Sequence, residues 1–87
     1  MKSVLFYWSK GAESRRRIIL LMLKCEQKNQ PCFVSALSRK LKLSHVAILR
    51  HLDLMEEDGY VEVLNPGGKP AFLALTETGK TVANEFS

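Results

Sequence analysis

The stretch LSHVAILRHLDLMEEDGYV, Leu43 to Val61, decides how the chain folds. Ser44 is a good N-cap, and Ile48, Leu52 and Met55 recur at i, i+4 and i+7, the spacing that lines one face of a helix. Gly59 is the kind of residue on which helices end. A helix from about residue 44 to 58 with a buried stripe is therefore expected, with Arg50 roughly in line with Val46 and Ala47 away from that stripe.

Just upstream, Ser35 can cap ALSRKL, where Ala36, Leu37 and Leu41 give a short helix of about two turns. A turn at KLS joins the two, and short helix, tight turn and longer helix make a helix-turn-helix. Further back, Ser14 opens RRRIILLMLKCEQK, whose Ile18, Leu21, Met22 and Cys25 form a core stripe. Ile19, Leu20 and Leu23 lie on its other faces, so this helix needs cover on more than one side, from VLFYW at the N-terminus or from a second subunit. NQP ends it, and Cys32, Phe33 and Val34 run extended. Downstream, YVEVL and AFLAL flank NPGGKP as a hairpin, with Pro66 and Gly67 suited to the centre of a type II turn. Thr76 can cap a last helix, ETGKTVANEF, with Val82, Ala83 and Phe86 as its apolar positions and Gly79 as a weak point. The expected class is α+β: three core helices, a hairpin and a C-terminal helix in a single domain over residues 1–87, with 1–12 as an N-terminal extension available for a dimer contact.

Composition and charge narrow the function. With 46% hydrophobic and 25% charged residues the chain sits in the globular range, outside the disordered, collagen-like and coiled-coil classes. No apolar run approaches the ~20 residues of a membrane span, and the start lacks the length and cleavage site of a signal peptide, so a cytoplasmic location is expected. Cys25 and Cys32 lack CxxC spacing. Free thiols are the expectation, with a disulfide as the alternative. The net charge of +4 is mild, but its distribution is not. Between Glu26 and Asp53 there is no acid, while Lys28, Arg39, Lys40, Lys42 and Arg50 fall there; Asp53, Glu56, Glu57, Asp58 and Glu62 follow with no base between them. Grouped on one face, the first set offers a cationic patch to a polyanion. A solvated surface is the bland alternative. No nucleophile–base pair, glycine-rich phosphate loop or metal-ligand spacing is present, so no enzyme, cofactor, catalytic residue or metal site is expected.

VSALSRKLKLSHVAILRHLDLMEEDGYVEV, then NPGGKP, then AFLALTETGKTVA, resembles the winged helix-turn-helix domain of the ArsR and MarR groups of transcriptional regulators, over nearly the whole chain after residue 12. The resemblance implies a recognition helix at about 44–58 and a wing at about 60–75, whose Lys69 would touch the backbone or minor groove of double-stranded DNA. It identifies no small-molecule effector. Two positions depart from the pattern. Lys42 stands where glycine is common, so a left-handed turn there would cost about 1 kcal/mol. Leu49 stands where relatives carry a polar residue, and an apolar side chain can meet only a thymine methyl.

His45 and His51 diverge by roughly 240° on a helix and cannot share a metal within one subunit. His51 is expected to pack between helix and sheet, whereas His45 lies in the first turn, the end that enters a major groove. Arg50, about a turn and a half beyond Ser44, can reach a guanine edge or a phosphate, and Ser44 and Ala47 are expected to contact DNA with it. Arg39, Lys40 and Lys42 read as phosphate clamps. The cations of SRRR oppose the dipole of the helix they begin, and so serve either an external anion, an acidic partner or simple solubility. The expected function is a homodimeric, sequence-specific regulator; the competing one is a protein–protein module that docks through VLFYW and the first long helix.

Overall fold

A computed structural model describes residues 4–87. The order is α1 (Val4–Tyr7), α2 (Ala12–Gln27), α3 (Val34–Leu41), α4 (His45–Glu57), β1 (Val61–Val63), β2 (Leu73–Leu75) and α5 (Glu77–Phe86). Helix α2 is the axis of the core: Ile18, Ile19 and Met22 are fully buried, and α1, α3, β2 and α5 all pack on it. The need for cover on several sides is thus met within one chain. Within residues 4–12, expected as an extension, Phe6 joins the core: it is fully buried, edge-on to Tyr60 at 5.1 Å and tilted on Phe86 at 6.0 Å. The first three residues of that expected extension lie outside the described ones.

Several helix ends follow local rules and several do not. Ser44 caps α4 and Thr76 caps α5, each hydroxyl accepting a backbone N–H, from Ala47 at 3.1 Å and Gly79 at 3.0 Å. By contrast, α2 begins at Ala12 rather than at Ser14, since Gly11 at φ 86° turns the chain into it. Ser35 is not the cap of α3. Phe33 holds that place in extended conformation with no side-chain cap, fixed by its ring on Phe72 at 5.0 Å; tertiary packing overrides the preference for a hydroxyl. Lys42 adopts the left-handed conformation at φ 58°. Its cost, about 1 kcal/mol, is offset by bonds that close the turn: the Leu43 N–H donates to the Ser38 carbonyl at 3.2 Å and the Ser38 hydroxyl to the Leu43 carbonyl at 2.6 Å.

β1 and β2 pair antiparallel, with Val61 opposite Leu75 and Val63 opposite Leu73. Gly67 at φ 80° and a Gly68 N–H to Asn65 carbonyl bond at 2.8 Å form the expected turn. The Asn65 side chain also accepts from the Phe72 N–H at 2.7 Å and donates to the Pro70 carbonyl at 3.2 Å, which pins the hairpin tip. On its other side β2 is capped: Leu73 N–H donates to the Cys32 carbonyl at 3.0 Å and Leu75 N–H to Glu26 Oε1 at 3.3 Å. Gly79 is more than a weak helix former. A Cβ there would sit 1.9 Å from the Tyr60 carbonyl oxygen, so only glycine lets α5 approach the strand entry so closely. The result is a winged helix-turn-helix.

Candidate nucleic-acid interface

With Ile48, Leu52 and Met55 buried, the 100° advance per residue turns Val46, Leu49, Arg50 and Asp53 outward on α4. Two hollows border this face. One, of about 500 Å³, is lined by Lys10, Gly11, Ser44, Val46, Ala47, Arg50 and His51. The other, of about 530 Å³, lies between α4 and the wing, where His45 and Leu49 face Phe33, Val34, Lys69, Pro70 and Ala71. Ser44, Ala47 and Arg50 therefore share one side of the helix, and His45 and Lys69 the other. Arg39 and Lys40 end α3 and Lys42 follows it; all three are exposed but line neither hollow. Lys10 is the residue that reading the sequence missed. Nothing local brings it to Ser44; the turn at Gly11 does.

Of the three consecutive arginines, Arg15 turns inward, Arg16 is half-buried and Arg17 stays exposed. Arg15, 2% exposed, donates from Nε to the Leu5 carbonyl at 2.7 Å and from Nη2 to the Ser9 hydroxyl at 2.5 Å and the Lys10 carbonyl at 2.8 Å. Arg16 donates to the Phe6 carbonyl and Arg17 to the Leu41 carbonyl, the latter at 3.3 Å. Leu5, Phe6 and Leu41 lie in the last turns of α1 and α3, where carbonyls lack helical partners and the dipole favours cations. The charges that oppose the α2 dipole thus complement two others. For Arg15 and Arg16 this puts an internal role where an external anion, an acidic partner or solubility was expected of SRRR, while Arg17 remains at the surface.

His51 is likewise placed differently from the expectation. Its Nδ1 faces Arg15 Nη1 at 3.1 Å, against the α1–α2 joint rather than between helix and sheet. Since a guanidinium can only donate, Nδ1 accepts and the ring is neutral. Burial, and then the charge of Arg15, push the His51 pKa below its usual value. Burial also lowers that of Arg15. Cys25 and Cys32 are free and buried; burial, with Cys25 beside it, pushes the Cys32 thiol up to about 12.

The family model for bacterial regulatory proteins of the arsR family matches residues 13–63. The chain belongs to the arsR family. That match contains the helix-turn-helix and β1 and stops before the rest of the wing. No curated protein matches this arsR-family chain. Among solved structures it is similar to AF1382 from Archaeoglobus fulgidus, at TM-score 0.80 and 17% identity over 97% of this chain and 89% of that one. It is also similar to a cysteine-to-serine mutant of ZitR from Lactococcus lactis, at TM-score 0.72 and 21% identity, covering 85% of this chain and 49% of that one. The reduced form of MarR from E. coli gives 0.68 and 20%, covering 83% and 52%. At these identities the likeness is one of fold, and this arsR-family chain spans about half the length of ZitR and MarR. Among the described residues no helix is long and apolar enough to cross a membrane, and no group of three or more His, Cys, Asp or Glu could hold a metal ion.

Proposed function

We propose that this arsR-family chain is a sequence-specific double-stranded DNA-binding transcriptional regulator that works in the cytoplasm as a homodimer. The observation that carries the reading is the outward face of α4, bordered by Lys10 and Arg50 in one hollow and by His45 and Lys69 in the other. That is a helix the width of a major groove with cations on both flanks for the phosphates. Ser44, His45, Ala47 and Arg50 enter the groove; Arg39, Lys40 and Lys42 hold the backbone; Lys69 rests on backbone or minor groove. The order of charge agrees, since Glu56, Glu57 and Asp58 fall at the far end of the helix, away from the reading turns.

Dimerisation is supported at the chain's two ends. Trp8 is 71% and Val4 59% exposed, beside an aromatic group in which Tyr7 meets Trp8 at 5.7 Å and Phe86 at 5.5 Å. A second copy covering α1 and α5 removes this apolar surface from water. Two recognition helices then stand about one DNA turn apart, roughly 34–36 Å. Selection from a random duplex pool tests the reading: enrichment of a palindrome with that spacing is expected. A pool that returns unenriched, with a monomer by light scattering at tens of micromolar, leaves the protein–protein module in its place.

A further inference from the structure

We infer that Val46 and Leu49 are specificity residues that read the C5-methyl groups of thymine, an inference that rests on the DNA-binding reading above. Single exposed apolar residues are ordinary. These two differ in their placement. They stand one helical turn apart on the outward face of α4, 59% and 45% exposed, within the first turns, which lead a recognition helix into the groove. Each is flanked by a cation: Val46 lines the hollow with Arg50 and Lys10, and Leu49 the hollow with Lys69. A polyanion therefore complements the surroundings of the apolar pair.

The chemistry then selects the target. Neither side chain donates or accepts a hydrogen bond, and the apolar feature that a standard base pair presents in the major groove is the thymine methyl. Leu49 suits it particularly, because Phe33, Val34, Pro70 and Ala71 line the same hollow. A methyl seated beside Leu49 leaves water on several sides at once. Leu54, also exposed, is not part of this pair. It lies more than a turn further along, toward the acidic end of the helix with Glu56, Glu57 and Asp58, whose charges repel phosphate. In this assignment Arg50 supplies the hydrogen-bonded part of the readout and Val46 and Leu49 the apolar part, so the preferred half-site carries thymines beside the base or phosphate that Arg50 meets.

The test uses the full chain and the duplex enriched by selection, with each thymine replaced singly by deoxyuridine, which removes only the methyl. For the wild type, replacement at one or two positions per half-site is expected to weaken binding about threefold to fivefold, the factor that burial of one methyl-sized group gives. For Leu49→Ala or Val46→Ala the penalty at the matching position should vanish while the thermal transition stays where it was, since both residues are exposed. At the methyl-sensitive position, a 5-methylcytosine–guanine pair should bind more tightly than an unmethylated cytosine–guanine pair in the wild type and no more tightly in the matching variant. Equal binding of thymine and deoxyuridine duplexes, or a penalty that persists in both variants, overturns the inference and leaves the DNA-binding reading intact. A pool that yields no enriched duplex overturns that reading and the inference with it.

Discussion

The Arg15–Arg16 pair and the basic residues around α4 look alike in the sequence and behave in opposite ways in the fold. Arg15 and Arg16 spend donors on carbonyl oxygens at the end of α1, while Arg17 stays exposed and reaches the Leu41 carbonyl at the end of α3. Arg39, Lys40, Lys42, Arg50 and Lys69 stay exposed. What separates them is the supply of acceptors. A cation turns inward where the fold leaves unpaired carbonyls within reach, and α1 folding back over α2 supplies them. Around α4 the local bonds are already made, by Ser44 at the start of that helix and by Ser38 before it. The surrounding charges therefore stay at the surface.

The largest expected effect breaks the inward side. Arg15→Met leaves the Leu5 and Lys10 carbonyls without their donor, and should cost about 3 kcal/mol of stability, the scale of losing hydrogen bonds made by a charged group. For a domain of this size that lowers the thermal midpoint by roughly 15 °C, read by circular dichroism. The outward side should respond in the opposite quantity. Arg50→Ala should leave the midpoint within about 0.5 kcal/mol of wild type and weaken binding to the selected duplex by about 1–3 kcal/mol, with less effect on random DNA. If Arg50→Ala unfolded the protein while Arg15→Met left it stable, the division of roles would be reversed.

A smaller effect sharpens the contrast through pH. The His51 pKa is lowered in the fold, so the unfolded chain binds the proton first as pH falls. Stability from this group is complete above the unfolded value of about 6.5 and falls as pH drops below it, levelling off once the folded ring is also protonated. His51→Gln can keep an acceptor for Arg15, and should retain stability at neutral pH while losing this pH dependence in urea titrations at pH 7.5 and 5.5. An undiminished slope in the variant would assign the effect to carboxylates. The smallest change concerns Lys69, whose contact should be electrostatic alone. Lys69→Ala should weaken all duplexes alike and reduce the salt slope by about one unit; altered sequence preference would instead make the wing a reader of bases.

Legibility in the sequence followed the range of the forces involved. The stripe of Ile48, Leu52 and Met55, the caps at Ser44 and Thr76, and the turn at Gly67 rest on interactions within a few residues, and the fold could be read from them. Ser35 failed as a cap because Phe33 is held by Phe72, which arrives from the hairpin. Gly79 looked like a flaw because the Tyr60 carbonyl that requires it comes from a different element. The candidate site was legible in the residues on and beside α4. Lys10 was not, nor was the inward turn of Arg15, since both depend on α1 folding back through Gly11, a contact with no periodic signature.

The outer edge of β2 carries one further consequence. An edge strand with free N–H groups is a template onto which another chain can add a strand, the usual route to aggregation and exchanged dimers. Here Leu73 and Leu75 have their outward N–H groups taken by the Cys32 carbonyl and by Glu26 Oε1, so that edge offers an incoming strand no donors at either position. That side of the short sheet is thereby closed to strand addition at both positions. Glu26→Ala, by freeing the Leu75 N–H, would reopen the edge at one rung and make the chain stickier without touching the outward face of α4.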